Sequence, residues 1–253
     1  MSATTPVVTV GAAENTMRRW RQSALTLIDP RPNVGFIPCG DAIRWLNPRI
    51  MDLDVGSRSF EQRSLASVFR SRRSTRIFSE APIEEVASVI RETLRIHFVG
   101  EGTSHGRKLK AVVSAGALHP VKAILLDRAA GAIAYDDFAD CFLAVGVRDN
   151  QHLDAFLENC RKVLPQANGH WVALIADSSD LSRLYSHYQS LLWRDAGAVI
   201  QAMALVAEAR DLAFCPLGIL GQQVVDALLP GNSRIVPVGV AAIGKPSLDQ
   251  IPS

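Results

Sequence analysis

From Asp180 to Arg210 runs the longest helical pattern in the chain, and its second half is apolar around much of its circumference. Ala196, Val199, Ile200, Met203, Ala204, Val206 and Ala207 do not confine themselves to one face. Such a helix must be covered on several sides, so the rest of the chain has to wrap it. Ala196, Gly197 and Ala198 allow close backbone approach, which suits a central core helix or a subunit interface better than a surface helix. With 253 residues, 48% of them hydrophobic, the chain has enough apolar material for that cover.

The cover reads as helices interleaved with apolar strands. Helical patterns span Glu14 to Ile28, Ser59 to Arg70, Pro82 to Ile96, Gln151 to Leu164 and Leu220 to Leu229. Pro82 stands near a first turn, where Glu84 and Glu85 favour the helix dipole. The fourth helix turns Leu153, Phe156, Leu157 and Val163 inward. Lys122 to Leu126, Phe142 to Val147, Trp171 to Ala176 and Ile235 to Ile243 are strand-like runs. Together they argue for a layered α+β domain with a central sheet. Residues 1 to about 13 read as disordered. Up to about residue 60 the chain is punctuated by Pro and Gly but carries Trp20, Ile37, Trp45 and Leu46. That stretch is expected to be an extension packed on a main domain spanning 61–253.

Several function classes drop out. A net charge of +2 writes in neither a nucleic-acid stripe nor an acidic tail. Cys39, Cys141, Cys160 and Cys215 are widely spaced, without zinc-ligand spacing, and read as reduced and mostly buried. No secretory signal and no run of about 18 apolar residues is visible, so a cytoplasmic protein with no membrane partner is expected. Nothing like GxGxxG follows a strand, and GxxxxGK[ST] and GxSxG are absent, which removes Rossmann, P-loop and hydrolase-elbow readings. Ser182, Ser186 and Ser190 simply recur at helical spacing. Asp136, Asp137 and Asp140 lack the glycine and terminal Glu of a calcium loop and read as solvated carboxylates, so no metal site is expected.

Three segments carry chemistry. In Arg72-x-Ser74-x-Arg76 two guanidinium groups and a hydroxyl alternate, and in an extended chain they point one way, toward a phosphate or a polar ring edge. Ser114-Ala115-Gly116-Ala117-Leu118-His119-Pro120 offers small residues and a run of backbone N–H groups just before a strand. Its plainer reading is a tight turn in which Gly116 provides a positive φ and His119 packs or caps. Cys215-Pro216-Leu217-Gly218-Ile219-Leu220 reads as a turn before a helix, with N–H groups that could face an anion or a ring carbonyl.

In this order, with the apolar helix between the second and third, these segments resemble the FMN-dependent nitroreductase-fold oxidoreductases. The nearest branch is that of the peptide-azoline dehydrogenases and thiazoline oxidases. RRSxRxF resembles the family's phosphate-binding and ring-contacting motif, SAGALHP resembles the branch's PSAGALxP, and CPLGIL resembles its CPxGG turn. The resemblance covers about Leu65 to Pro246. It implies a central, mostly antiparallel sheet flanked by helices, with the long core helix at a homodimer interface. It further implies that Arg72, Ser74 and Arg76 hold FMN from one subunit, with Pro216 and Gly218 beneath the ring. Ser114, Ala115 and Gly116 would come from the other subunit, and Lys245 is a further phosphate candidate. The implied activity is oxidation of a peptide or natural-product intermediate, such as azoline to azole, in association with a carrier or cyclodehydratase. An NAD(P)H-dependent nitro or quinone reductase is the alternative, and a noncatalytic member supporting a biosynthetic partner is another.

The sequence also departs from that branch. If Asp195-Ala196-Gly197 is its acidic-x-Gly motif, Arg183 and Leu184 stand where a Lys-Tyr pair is usual. Tyr185 or Tyr188 can supply the phenol after a small shift, but an arginine stays protonated and is a poor base. His187, between them, is a second candidate for proton transfer. Val113 replaces the usual proline before Ser114, and Lys122 stands where an acid is frequent.

Overall fold

The long apolar runs become the middle of a sheet because both of their faces are covered. The computed structural model describes residues 28–35, 42–55, 63–101, 108–127 and 130–247, so the expected helix from Glu14, all but its last residue Ile28, the stretch 1–13 expected to be disordered, and Cys39 lie outside the described residues. In chain order the strands are β1 (Arg31–Pro32), β2 (Arg49–Met51), β3 (Phe78–Ser79), β4 (Ile96–Val99), β5 (Lys108–Lys110), β6 (Val121–Asp127), β7 (Gly131–Asp136), β8 (Cys141–Val145), β9 (His170–Asp177), β10 (Tyr185–Ser186), β11 (Ala213–Leu217) and β12 (Ile235–Pro246). The helices are α1 (Leu65–Ser71), α2 (Ile83–Leu94), α3 (Asn150–Val163), α4 (Ser179–Leu184), α5 (Gln189–Ala209) and α6 (Gln222–Leu228).

One sheet runs in the order β11-β12-β9-β6-β7-β8-β2, with β3 on the far end of β12, and every pairing in it is antiparallel. Side chains alternate between its faces. Leu125, Leu174 and Ile243 join α2 and α5 in one core, while Ile124, Ile175 and Val240 join α3 and α6 in the other. The α+β class and the antiparallel sheet between helices are therefore as expected. α5 is 21 residues long and apolar enough to cross a membrane by length and composition. Ala196, Val199, Met203, Ala204 and Ala207 are nevertheless buried against the sheet, which makes it a core helix.

Several local expectations need correction. The pattern from Asp180 to Arg210 is not one helix. It breaks at β10, and His187 has φ 58°, a left-handed conformation that ends α4's course before α5 begins. Ser182, Ser186 and Ser190 thus share no helix face. In α3, Val163 is 47% exposed and Cys160 takes the inward place. Cys215–Leu217 is strand, not turn, and the turn follows from Gly218 to Gly221. β7 and the β4–β5 hairpin were not legible as strands. β2, from the first 60 residues, is an edge strand of the main sheet itself.

Candidate functional site

α1 is capped by Ser64, whose Oγ accepts from the Ser67 N–H, and it ends at Arg72, where the backbone turns extended. The Thr75 N–H then donates to the Phe214 carbonyl at 3.2 Å, docking this segment along β11. Ser74 and Arg76 stay exposed on either side of Thr75, and Phe78 plunges into the core. Burial raises the pKa of the Cys215 thiol, and the adjacent Arg76 guanidinium opposes that shift. Beyond it Pro216 is exposed, and a Cβ added to Gly218 would meet no atom within 4 Å. The first and third motifs therefore meet within one chain, beside an open face. Lys245 lies opposite Ser79 on β12, where its ammonium bonds the Glu85 carboxylate of α2. A phosphate drawn to Lys245 would have to compete with that carboxylate.

The second motif packs elsewhere, on the N-terminal half of α5. Ser114 Oγ donates to Asp195 Oδ2 at 2.6 Å and accepts from the His119 N–H at 2.9 Å, while the Ala115 N–H donates to Asp195 Oδ1 at 3.2 Å. Burial raises the pKa of the Asp195 carboxyl against these bonds. Gly116, Ala117 and His119 have φ of 58°, 53° and 48°. For the alanine and the histidine the left-handed region costs about 1–2 kcal/mol each, so the Asp195 anchor holds a strained loop in place. Gly116 is needed for space as well as for φ, because its Cβ would lie 2.9 Å from the Tyr185 hydroxyl.

Tyr185 is fixed from behind by the N-terminal segment. β1 pairs Pro32 with Tyr185, and Asn33 donates from its backbone N–H to the Leu184 carbonyl and from Nδ2 to the Arg183 carbonyl, each at 2.8 Å. Of the three proton-transfer candidates, Tyr185 is the one set against the loop, and the Arg183 and His187 side chains are exposed. Asn33 is a positioning residue that nothing in the sequence marked.

A charged cluster beneath the loop was also missed. Asp137 is buried, not solvated, and binds both Lys110 and Lys122, the latter at 2.7 Å. Burial pushes Lys110 down to about 8. It also pushes His119 down to about 4, aided by Lys110 and Lys122, and the buried His119 Nε2 has no hydrogen-bond partner among the described residues. His119 thus packs as a neutral ring, in keeping with the plainer reading. Next to it a cavity of about 590 Å³ opens between Trp45, Leu118, His119, Lys122 and Phe138.

Comparison with known proteins gives the family directly. The nitroreductase family model matches residues 69–245, most of the chain. Among solved structures, a provisional nitroreductase from Ralstonia eutropha JMP134 superposes with a TM-score of 0.56 at 13% identity, covering 87% of this chain and 99% of its own. Another, from Anabaena variabilis ATCC 29413, gives 0.53 at 16% identity over 72% of this chain and 38% of its own. A third, from Desulfovibrio desulfuricans and solved in complex with FMN, gives 0.49 at 16% identity over 76% and 92%. No curated protein matches. Members of the matched family are FMN-dependent oxidoreductases. By the span of that match and the antiparallel sheet, the chain belongs to the nitroreductase family.

Proposed function

We propose that this chain binds FMN between two copies of itself in the cytoplasm and oxidises a peptide or natural-product intermediate, as in the conversion of an azoline to an azole. The observation that carries the reading is the Tyr185 hydroxyl lying against Gly116, which sets a proton-transfer group on the loop whose motif resembles the azoline-dehydrogenase branch. The residues fit the cofactor. Ser74 and Arg76 are exposed beside Cys215–Gly218, and the space over Gly218 is open to a planar ring. Arg72, Ser74 and Arg76 would hold the phosphate, and Pro216 and Gly218 would underlie the ring. Ser114 and Ala115, drawn inward to Asp195, would position the loop, and Gly116 would offer its backbone to the ring of the partner subunit. FMN supplies the two-electron redox chemistry when bound. Tyr185 Oη would relay the proton that leaves the substrate, a task for which a guanidinium is poorly suited. The 590 Å³ cavity has the volume of a small-ligand site, which commonly runs to about 300–1,000 Å³.

The visible spectrum of the purified protein tests this. A yellow protein that releases FMN on denaturation, and whose flavin NADPH does not bleach rapidly, agrees with the oxidase. Rapid bleaching by NADPH turns the reading to a nitro or quinone reductase. A colourless protein that takes up no added FMN overturns both. A noncatalytic support role would then lead, an option to which Arg183 in place of the usual lysine already points.

A further inference from the structure

The paired register of two central strands brings a histidine and a carboxylate together at the end of the sheet remote from the Ser114 loop. β6 and β9 pair Leu126 with Trp171, so the next pair outward is Asp127 opposite His170. His170 is 96% removed from solvent, and its Nδ1 lies 3.2 Å from Asp127 Oδ2. Its Nε2 lies 2.7 Å from the Ala81 carbonyl. A carbonyl only accepts, so Nε2 carries the proton, and in a neutral imidazole Nδ1 then presents a bare lone pair to a carboxylate oxygen. Two acceptors then face each other in a buried place, and a cation between them would satisfy both.

Glu80 completes the group from the β3 side, bringing a second carboxylate to the pair. Its oxygen, that of Asp127 and the His170 nitrogen all lie within 4.8 Å of one another. The approach of Glu80 is built in by Gly169. A Cβ there would run into the Ile243 carbonyl and come within 2.7 Å of the Phe78 ring, so only glycine lets the β3 segment settle beside His170. Asn168 secures it by donating its N–H to the Phe78 carbonyl at 2.9 Å. A cavity of about 40 Å³ opens among Glu80, Asp127, Asn168 and His170. Arg161 also reaches this cavity but is exposed, where water screens its charge.

We propose that Glu80, Asp127 and His170 form a site for a divalent first-row cation, with Zn²⁺ the representative ion. One imidazole nitrogen and two carboxylate oxygens carry a net charge of −2, which such an ion neutralises, and the nitrogen disfavours Mg²⁺ and Ca²⁺. Ligands about 2.1 Å from Zn²⁺ stand roughly 3.4 Å apart, so the exposed Glu80 closes in when the ion binds. The remaining position falls to water. The Ala81 carbonyl orients the ring from its far side, the usual arrangement of a metal-bound histidine. The ion would staple the segment between β3 and α2 to the sheet. None of the three residues belongs to the proposed flavin site, so the two readings stand or fall apart.

The test is calorimetric titration of Zn²⁺ into chelator-treated, tag-free protein, with the melting temperature followed in parallel. One Zn²⁺ per chain, a raised melting temperature, and a Kd weakened at least about tenfold by both Glu80→Gln and Asp127→Asn are expected. Glu80 is exposed, so its variant stays folded and separates ligand loss from misfolding. Absence of Zn²⁺ binding overturns the proposal, as does binding that neither variant weakens, which would assign the ion to other cysteines or histidines. A His170 ring found by NMR to carry protons on both nitrogens at neutral pH with Zn²⁺ present also overturns it.

Discussion

Asp137 holds one negative charge between two ammonium groups, and the consequences can be signed. Burial alone would push its carboxyl up, but Lys122 and Lys110 together outweigh that and hold it below its usual range. Lys110 lies deeper and shares the Asp137 carboxylate with a second cation, so burial and the repulsion of Lys122 lower its pKa in spite of the ion pair. In the unfolded chain Lys110 keeps its proton to about pH 10.4. Folded, it releases it near 8, so between those values the unfolded state binds more protons and stability rises with pH. Urea denaturation should show wild type gaining on Lys110→Met by on the order of 3 kcal/mol across that window. A flat difference would mean that Lys110 is fully charged in the fold. Asp137→Asn leaves two poorly hydrated ammoniums without an anion and should cost about 3–5 kcal/mol at pH 7, much of it recovered by adding Lys110→Met. For the proposed oxidase, Tyr185→Phe should retain FMN and lower kcat by about 10²–10⁴. Unchanged turnover would take the proton relay away from Tyr185.

At the scale of elements, the loop from Ser114 to His119 shows how strain and support go together. Gly116→Ala would bring a methyl within 2.9 Å of the Tyr185 oxygen and force an alanine to φ 58°. It should cost about 1–2 kcal/mol from the backbone alone and displace the hydroxyl. Thermal melts and the fluorescence of added FMN would check the two effects separately, and a variant as stable as wild type would show that the loop relaxes freely. Much of this scale was legible beforehand. Continuous apolar runs gave β6, β9 and β12, and Pro82 with Glu84 and Glu85 marked the start of α2, because those signals are local. The break at Tyr185–Ser186 was not, since it depends on pairing with Arg31 and Pro32 some 150 residues earlier in the chain. The same holds for the site. Arg72, Ser74, Arg76 and Gly116 could be picked out as short motifs, whereas Asn33, Asp137 and the Glu80–Asp127–His170 group exist only through tertiary contact.

The whole molecule leaves specific apolar surface uncovered. Leu65 and Phe69 stand one turn apart on α1, and Trp193 lies one turn from Gly197 on α5. α1 packs beside α5, with Arg63 just ahead of it bonded to Glu208 near the C-terminal end of that helix. Single exposed apolar side chains need no account, but the Leu65–Phe69 pair on one face of α1 suits the twofold contact the proposed flavin site requires. Within one chain the Arg72 segment docks along β11 at Phe214 and Cys215, whereas Ser114–Gly116 is tied to Asp195 and Tyr185, so the ring would be enclosed only when a second copy adds its loop. Flavin affinity and self-association must then be linked, because a ligand that binds only the assembled form stabilises it by mass action. Dilution should release FMN, seen as a rise in its fluorescence, over the same protein concentrations at which sedimentation shows the dimer coming apart. Phe69→Glu should move both midpoints upward together while leaving the isolated chain folded. If that variant sediments as a monomer and still keeps its FMN on dilution, the cofactor is held within a single chain and the shared site is wrong.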